Sequence, residues 1–322
     1  MSTLTPPFPT GNIAAVVTPF RNVRYDVDLF AIEKHSSYLF DKCNISGVVV
    51  GGHNGEGSSF GEPQFESALT AANAIKQLHP TKTVYIGIMA RTADQAQERI
   101  QIANERTIDG FLLAPPLVEV LGNDTAAIKF YATAGELCDK PIIAYNTLQS
   151  ATPLTADALR HVKKIVGNRF IGVKNSGSDQ FFNEFCIQTN YEPATYQYIE
   201  GNDRRIGSSL TKLHDLNGQD KYQLPFTTIS GSSNWSVCAK LIGRIHDAAL
   251  LHHHRDVMRM QSNLDANLEA VLRNAKQFGG EAPIWKALAV MDGNTMNLDV
   301  MPPLVQIDDD EIQRLIDYTN TE

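Results

Sequence analysis

Short apolar runs alternate with longer amphipathic stretches along most of the chain. Eight apolar runs recur, at residues 12–20, 47–52, 83–90, 110–116, 141–146, 170–174, 196–200 and 226–230. Most of them place Val, Ile and Leu at consecutive positions, which is typical of strands buried on both faces. Half-exposed strands would instead alternate apolar and polar residues. The pattern therefore predicts eight buried, parallel strands.

The stretches between these runs have the spacing of amphipathic helices. In residues 28–43, for example, Leu29, Ile32 and Leu39 share one face, and Asp28 precedes them as a candidate N-cap. Similar patterns predict helices at 63–78, 93–106, 124–138, 155–166 and 179–189. Eight strand–helix units in series predict a closed (β/α)8 TIM barrel. A doubly wound open sheet is the alternative, but no GxGxxG follows the first strand.

The remainder of the chain is helical in pattern. Further helices are predicted at 237–251, 256–278, 282–291 and 309–319, and Gly and Pro residues separate them. We divide the chain into the strands and helices of the barrel, 1–234, and a second part, 235–322. The second part comprises a barrel-closing helix and a C-terminal helical appendage.

Composition excludes several classes of protein. The chain has 322 residues, 43% of them hydrophobic, and a formal net charge of −8. This charge does not favour binding to nucleic acids or to anionic membranes, and no run approaches the ~18 apolar residues of a membrane span. The N-terminus lacks the basic and apolar segments of a secretory signal. We therefore expect a cytoplasmic protein.

The cysteines and histidines do not have the spacing of a metal site. Four cysteines lie far apart without CxxC or CxxH spacing, so we expect reduced cysteines in the core: Cys43, Cys138, Cys186 and Cys238. Three consecutive histidines, 252–254, lie at a predicted helix end, where positive charge is favourable without a metal. We expect no metal and no organic cofactor. Trp235 and Trp285 are expected to be buried in the core.

Lys174 ends the apolar run at residues 170–174, and Asn175 and Ser176 follow it. A lysine is almost never fully buried unless it is paired. Desolvation disfavours the ammonium and yields a free amine that can attack a carbonyl. The alternative is a strand-end lysine whose head group reaches water.

Other strand ends carry complementary chemistry, because functional side chains of such barrels collect at the carboxyl ends of the strands. Tyr145 ends the fifth run and could exchange protons with Lys174, or it is a half-buried tyrosine with a satisfied hydroxyl. The second run ends in a glycine-rich turn whose backbone N–H groups suit a carboxylate, although the motif alone also fits a plain tight turn. An amine, a phenol and a carboxylate cradle are what Schiff-base chemistry on a 2-oxo acid needs.

At these residues the chain resembles the dihydrodipicolinate synthase and N-acetylneuraminate lyase family of class I, pyruvate-type aldolases. The resemblance covers residues 11–304 and rests on these motifs: Val17-Thr18-Pro19-Phe20, Gly-x-x-Gly-Glu at 52–56, Tyr145-Asn146, Gly172-Val173-Lys174, Gly201-x-Asp203, Ile229-Ser230 with Asn234, and Pro302-Pro303-Leu304. It implies that Lys174 forms the imine and that Tyr145 relays protons. It further implies that the turn of Gly52, His53, Asn54 and Gly55 binds the 2-oxo-acid carboxylate, and that the carbonyl of Ile229 faces the substrate.

The chain departs from the family pattern at informative positions. His53 and Asn54 replace the two usual hydroxyl residues of the turn, and the Asn-Gly-Glu form is most similar to 4-hydroxy-2-oxoglutarate aldolases. Residues 114–117, Ala-Pro-Pro-Leu, replace the tyrosine pair that follows strand four in the synthases. Ser150 stands where a synthase has an arginine, which serine cannot replace in bidentate carboxylate binding. Met301 stands where a basic residue is usual.

The sequence therefore predicts a Schiff-base aldolase or lyase that acts on a 2-oxo acid such as pyruvate and is not a true dihydrodipicolinate synthase. A dehydratase or deaminase using the same imine is one alternative, and a catalytically weakened binding protein is another. Family resemblance implies a homo-oligomer, a dimer or a tetramer. His53 is expected to contact substrate or to exchange protons. Residues 211–222 are expected to form a polar insertion between strands seven and eight.

Overall fold

Eight parallel strands form one closed barrel. The computed structural model describes residues 9–22, 24–116, 124–147, 154–188, 196–216 and 227–320. The strands are β1 Gly11–Ala15, β2 Gly47–Val50, β3 Thr83–Ile88, β4 Gly110–Leu113, β5 Ile142–Asn146, β6 Phe170–Asn175, β7 Gln197–Glu200 and β8 Thr227–Ser230. They pair in chain order, and β8 pairs with β1 to close the sheet. The predicted (β/α)8 barrel is confirmed.

Helices follow the strands around the outside of the barrel. They are α1 Leu29–Cys43, α2 Glu62–Leu78, α3 Ala93–Asn104, α4 Asp124–Leu137, α5 Ala156–Val166, α6 Asp179–Gln188, α7 Ile206–Leu216 and α8 Ser236–Leu250. Three further helices follow: α9 His254–Leu272, α10 Ala282–Met291 and α11 Asp309–Thr319. Helix α8 packs against both α1 and β1, whereas α9 packs on α7 and α8. The predicted C-terminal helical appendage is thus present.

Local capping chemistry sets several helix starts. The side chains of Asp28, Thr92 and Thr155 each accept a hydrogen bond from the backbone N–H three residues later, as N-caps do. The predicted helix 256–278 is interrupted, because α9 ends at Leu272 and a separate 3₁₀ turn follows it.

The first half of the predicted polar insertion at residues 211–222 lies between β7 and β8 and is helical. Residues 211–216 form the second half of α7, and residues 217–222 lie outside the described residues. Ile206, Leu210 and Leu213 are buried and have the i, i+4, i+7 spacing of one helix face. That spacing was visible in the sequence, but the polar residues between these positions obscured it.

The predicted apolar runs extend past the strands. The first predicted run extends to residue 20, whereas β1 ends at Ala15. Val17 leaves the sheet, and its backbone N–H donates to Asn234 Oδ1 over 2.9 Å. Asn234 Nδ2 also donates to the Ala15 carbonyl, over 2.8 Å. The carboxyl end of β1 is therefore held by a side chain that follows β8.

The barrel interior and the strand–helix interface form separate hydrophobic clusters, and Ile143, Ile199 and Ile229 belong to the interior one. Trp235 and Trp285 are buried, as predicted. Three of the cysteines, Cys43, Cys138 and Cys238, are buried and free, which confirms that expectation for them. The Cys186 side chain lies outside the described residues. Within the described ranges, no helix is long and apolar enough to cross a membrane.

Candidate active site

Lys174 lies inside the barrel near the carboxyl end of β6. It is 3% exposed, so its head group does not reach bulk water. Tyr145 is its partner in the β5–β6 register, and Lys174 Nζ lies 4.4 Å from the centroid of the Tyr145 ring. Two side chains opposite each other on neighbouring strands point to the same face of a sheet. The strand register thus brings amine and phenol together.

Gly201 provides the space for the Lys174 side chain. A Cβ atom at this position would lie 2.7 Å from Lys174 Cε and 3.0 Å from its Cγ. Both distances are too short for a carbon–carbon contact, and the same Cβ would lie 2.4 Å from Ser176 Oγ. A larger residue at 201 would therefore force the Lys174 and Ser176 side chains to shift. The chain reaches this point directly after β7, where Gly201 N–H donates to the Asn175 carbonyl over 2.9 Å.

The glycine-rich turn after β2 is held by its own backbone. Gly57 N–H donates to the Gly52 carbonyl and Glu56 N–H to the His53 carbonyl, both over 3.0 Å. Thr18 Oγ1 donates to the Gly55 carbonyl over 2.7 Å. In the part of the chain that the structure describes, the backbone N–H groups of Asn54 and Gly55 donate no hydrogen bond. Two such adjacent donors suit an anion.

The turn contacts the loop after β8. A Cβ atom on Gly231 would lie 1.9 Å from the Asn54 side-chain nitrogen, so Asn54 occupies the space that a larger residue at 231 would need. Ile229, two residues earlier, lies in the same interior cluster as Tyr145. Residues 52–55 and Ile229 therefore lie at the same end of the barrel as the lysine and the tyrosine.

His53 is uncharged at neutral pH. Burial, together with the nearby charge of Lys174, lowers the pKa of His53 to about 4. The imidazole therefore cannot serve as a cationic anchor for a carboxylate at pH 7. It can donate or accept a hydrogen bond, and it adds no second positive charge beside Lys174.

Two carboxylates that the sequence alone does not place in the site lie near it. Asp203 follows β7, and its Oδ2 accepts from Ser232 N–H over 2.9 Å. Burial raises the pKa of Asp203, whereas its hydrogen bonds and the charge of Lys174 lower that pKa. Glu281 precedes α10; desolvation and the charge of Asp203 raise its pKa, whereas Arg204 and Lys174 act in the opposite direction. The position of Asp203 at a strand end was visible in the sequence, but nothing local indicated Glu281.

Some predicted features fall outside the described residues. Leu117, in the segment that replaces the tyrosine pair, and Ser150 both lie there. Across the described ranges, no group of three or more His, Cys, Asp or Glu residues could hold a metal ion.

The protein is thus a closed α/β barrel that holds a buried lysine over a tyrosine ring, beside a glycine-rich turn. The model of the dihydrodipicolinate synthetase family matches residues 8–320, so the chain belongs to that family. Its members include aldolases and synthases.

Curated relatives match over part of their length. The 4-hydroxy-tetrahydrodipicolinate synthase of Rickettsia bellii is 26% identical over 174 residues, which cover 52% of this chain and 55% of that protein. The Chlamydia trachomatis protein of the same name is 28% identical over 167 residues, 51% of this chain and 55% of that protein. The chain spans about half the length of the curated relatives it matches.

Solved structures share the whole fold. The Escherichia coli K12 prophage protein YagE, in complex with pyruvate, superposes with a TM-score of 0.83 at 18% identity, covering 97% of this chain and 98% of YagE. A Sulfolobus solfataricus 2-keto-3-deoxygluconate aldolase variant has a TM-score of 0.76 at 18% identity, with 97% and 95% covered. At these identities the similarity concerns the fold alone.

Proposed function

We propose that the protein is a Schiff-base-forming class I aldolase or lyase that acts on a pyruvate-type 2-oxo acid and is not a true dihydrodipicolinate synthase. One observation carries the proposal: the Lys174 amine is buried in the barrel, 4.4 Å from the centroid of the Tyr145 ring. The complex of YagE with pyruvate and the 2-keto-3-deoxygluconate aldolase among the structural neighbours support the 2-oxo-acid class.

The reaction follows from an amine held next to a phenol. The Lys174 amine adds to the C2 carbonyl, and the carbinolamine hydroxyl leaves as water with the Tyr145 phenol proton, which gives a protonated imine and a Tyr145 phenolate. Tyr145 accepts the proton of the C4 hydroxyl as the C3–C4 bond breaks, and the bonding electrons move into the imine to form an enamine. An aldehyde leaves, and the enamine carbon takes the proton back from Tyr145. Water then hydrolyses the protonated imine to release pyruvate and the free Lys174 amine, and the proton set free restores the Tyr145 phenol. The protonated imine is the electron sink, so no step requires a metal ion and we expect full activity in the presence of a chelator.

The turn of Gly52, His53, Asn54 and Gly55 holds the substrate carboxylate in this proposal. The N–H groups of Asn54 and Gly55, which donate to no other group among the described residues, supply donors, and the Asn54 amide adds a side-chain donor. The Ile229 carbonyl faces the bound 2-oxo acid from β8. Because His53 is neutral at pH 7, the anchor is made of dipoles and not of a fixed cation.

Elimination at C4 through the same imine, as in a dehydratase or deaminase, uses the same residues. The curated relatives are named as synthases, which join carbon fragments. Synthesis is disfavoured in this protein because Ser150 stands where a synthase has an arginine. The products distinguish these reactions: cleavage gives an aldehyde, whereas elimination gives water or ammonia.

The test is reduction by borohydride in the presence of pyruvate, followed by peptide mass spectrometry. We expect a reduced pyruvyl adduct on Lys174 and none in a Lys174→Arg variant. Lys286 is an internal control, because it is equally buried but forms an ion pair with Glu56. A folded protein without an adduct on Lys174 would exclude both the aldolase and the eliminating enzyme, leaving a binding protein.

A further inference from the structure

Behind the lysine and the tyrosine, on the outer face of the same strands, lies a buried pair of amides. Asn146 follows Tyr145 and Asn175 follows Lys174, and the two asparagines are also register partners. Because successive residues of a strand point to opposite faces, these amides point away from the barrel interior. Asn146 Nδ2 donates to Asn175 Oδ1 over 3.0 Å.

The amide pair continues into a chain of hydrogen bonds across β7. Asn175 Nδ2 donates to the Tyr198 hydroxyl over 3.0 Å, and Tyr198 donates to Glu200 Oε2 over 3.1 Å. The Glu200 carboxylate also accepts from Arg205 Nη2 over 3.1 Å. All members from Asn146 to Glu200 are buried. We call the four residues Asn146, Asn175, Tyr198 and Glu200 the outer chain.

Asn175 can adopt one amide orientation in this chain. Its Oδ1 also accepts from Gly177 N–H over 3.0 Å, and its Nδ2 also donates to the Ser178 carbonyl over 3.3 Å. If the Asn175 amide were reversed, its NH2 group would face the N–H donors of Asn146 and Gly177, and its oxygen would face the Ser178 carbonyl. A fully satisfied buried polar network rigidifies the elements it joins. The outer chain therefore joins β5, β6 and β7 where Tyr145 and Lys174 are presented.

We propose that the outer chain is a positioning device: it fixes the ends of β5 and β6 so that the Lys174 amine stays over the Tyr145 ring in the geometry for imine formation. This inference rests on the proposed function. None of the four residues touches the substrate; they act through the two residues that precede Asn146 and Asn175. A displacement of the reacting groups by about 1 Å can cost up to a hundredfold in rate.

Tyr198→Phe tests this, because it removes one hydroxyl and keeps the ring that packs on Phe182. We expect the maximal rate of borohydride trapping with pyruvate to fall about tenfold or more. The pyruvate concentration for half-maximal trapping should stay within about twofold, since the turn at 52–55 binds the carboxylate and has no part in the outer chain. If the Tyr198 hydroxyl only stabilised the fold, Tyr198→Phe would melt at a lower temperature, but its maximal trapping rate would not fall at an unchanged half-maximal pyruvate concentration.

Tyr196→Phe is the matched control. Tyr196 is equally buried next to β7 and packs on Phe170 and Phe185, yet among the described residues its hydroxyl has no hydrogen-bond partner. This variant should trap pyruvate at the wild-type rate. Both variants are measured well below their melting temperatures.

The outcomes separate the two proposals. Equal trapping rates in Tyr198→Phe, Tyr196→Phe and wild type would overturn the positioning role and leave the proposed function intact. Absence of trapping in wild type would instead reject the proposed function. Should Tyr198→Phe fail to fold, Asn146→Asp takes its place: it retains the shape but turns the donor to Asn175 Oδ1 into an acceptor, and the same loss of rate is expected. An unchanged rate there would equally overturn the positioning role.

Discussion

Glu56 and Lys286 form a buried ion pair of 2.5 Å that links the turn after β2 to helix α10. Glu56 Oε2 also accepts from Met301 N–H over 2.6 Å, and Lys286 Nζ lies 4.5 Å from the centroid of the Phe20 ring. Glu56 has a φ of +60°, a left-handed conformation that costs energy for a non-glycine residue. The ion pair and the Met301 hydrogen bond connect the end of the candidate carboxylate-binding turn to α10 and to the segment that follows it.

Removing one partner of this pair should be more costly than removing both. Glu56→Gln leaves the Lys286 ammonium buried without its counter-charge, and Lys286→Met does the same to the carboxylate. Each single change should lower the free energy of unfolding by about 3–5 kcal/mol. The double variant should lose less than either single variant, and therefore far less than the sum of the two. Urea unfolding of all four proteins measures this; additive losses would mean that the two charges do not stabilise each other.

The Gly201 contact predicts a specific loss of chemistry. Gly201→Ala places a methyl group 2.7 Å from Lys174 Cε and 2.4 Å from Ser176 Oγ, so both side chains must shift and the position of the Lys174 amine over Tyr145 is disturbed. We expect borohydride trapping of pyruvate to slow about tenfold or more. Gly243→Ala in α8 is the control, because nothing lies within 4 Å of a Cβ there and alanine favours a helix. Equal trapping by both variants would contradict the contact.

Local pattern predicted the strands and the residues at their ends. Runs of Val, Ile and Leu mark the strands because both faces are buried, and Lys174 and Tyr145 were identified from their positions at strand ends. Their contact depends on the register of β5 with β6, which shifts between Ile142 and Ile143. Periodicity does not encode such a shift, so the distance between the amine and the phenol required the structure.

Interactions between distant segments were not predictable. Glu56 and Lys286 are separated by 230 positions in the sequence, and no local signal indicates that α10 returns to the β2 turn. The same holds for Glu281, at the start of α10. By contrast, the direct succession of Asn146 after Tyr145 and of Asn175 after Lys174 was visible in the sequence. Their pairing on the outer face became apparent only with the closed sheet.

The low pKa of His53 predicts how trapping depends on pH. His53 changes its charge near pH 4 and stays neutral from pH 5.5 to 8. Wild type and His53→Gln should therefore have pH profiles of the same shape in this window, even where the absolute rate differs. Stopped-flow absorbance, without borohydride, measures the rate of imine formation in both proteins at each pH. A step near pH 6.5 present only in wild type would mean that His53 titrates during the reaction.

Buried His246 predicts that the protein loses stability in mild acid. Its Nε2 lies 3.1 Å from Thr228 Oγ1, and burial lowers the pKa of His246 to about 4 from an ordinary value near 6.5. Between these two pH values the unfolded chain binds the proton and the folded chain does not. The stability that this histidine contributes is therefore complete above pH 6.5 and is lost progressively as the pH falls towards 4.

At pH 5 the loss from His246 alone should be about 2 kcal/mol relative to pH 7. His246→Gln keeps a polar partner for Thr228 and cannot titrate. From pH 7 to pH 5 its unfolding free energy should therefore fall by about 2 kcal/mol less than that of wild type. His253→Gln on the exposed surface is the control and should follow wild type. Urea unfolding at pH 5 and pH 7 gives all three differences. An identical acid loss in His246→Gln and wild type would show that the buried imidazole is not the group responsible.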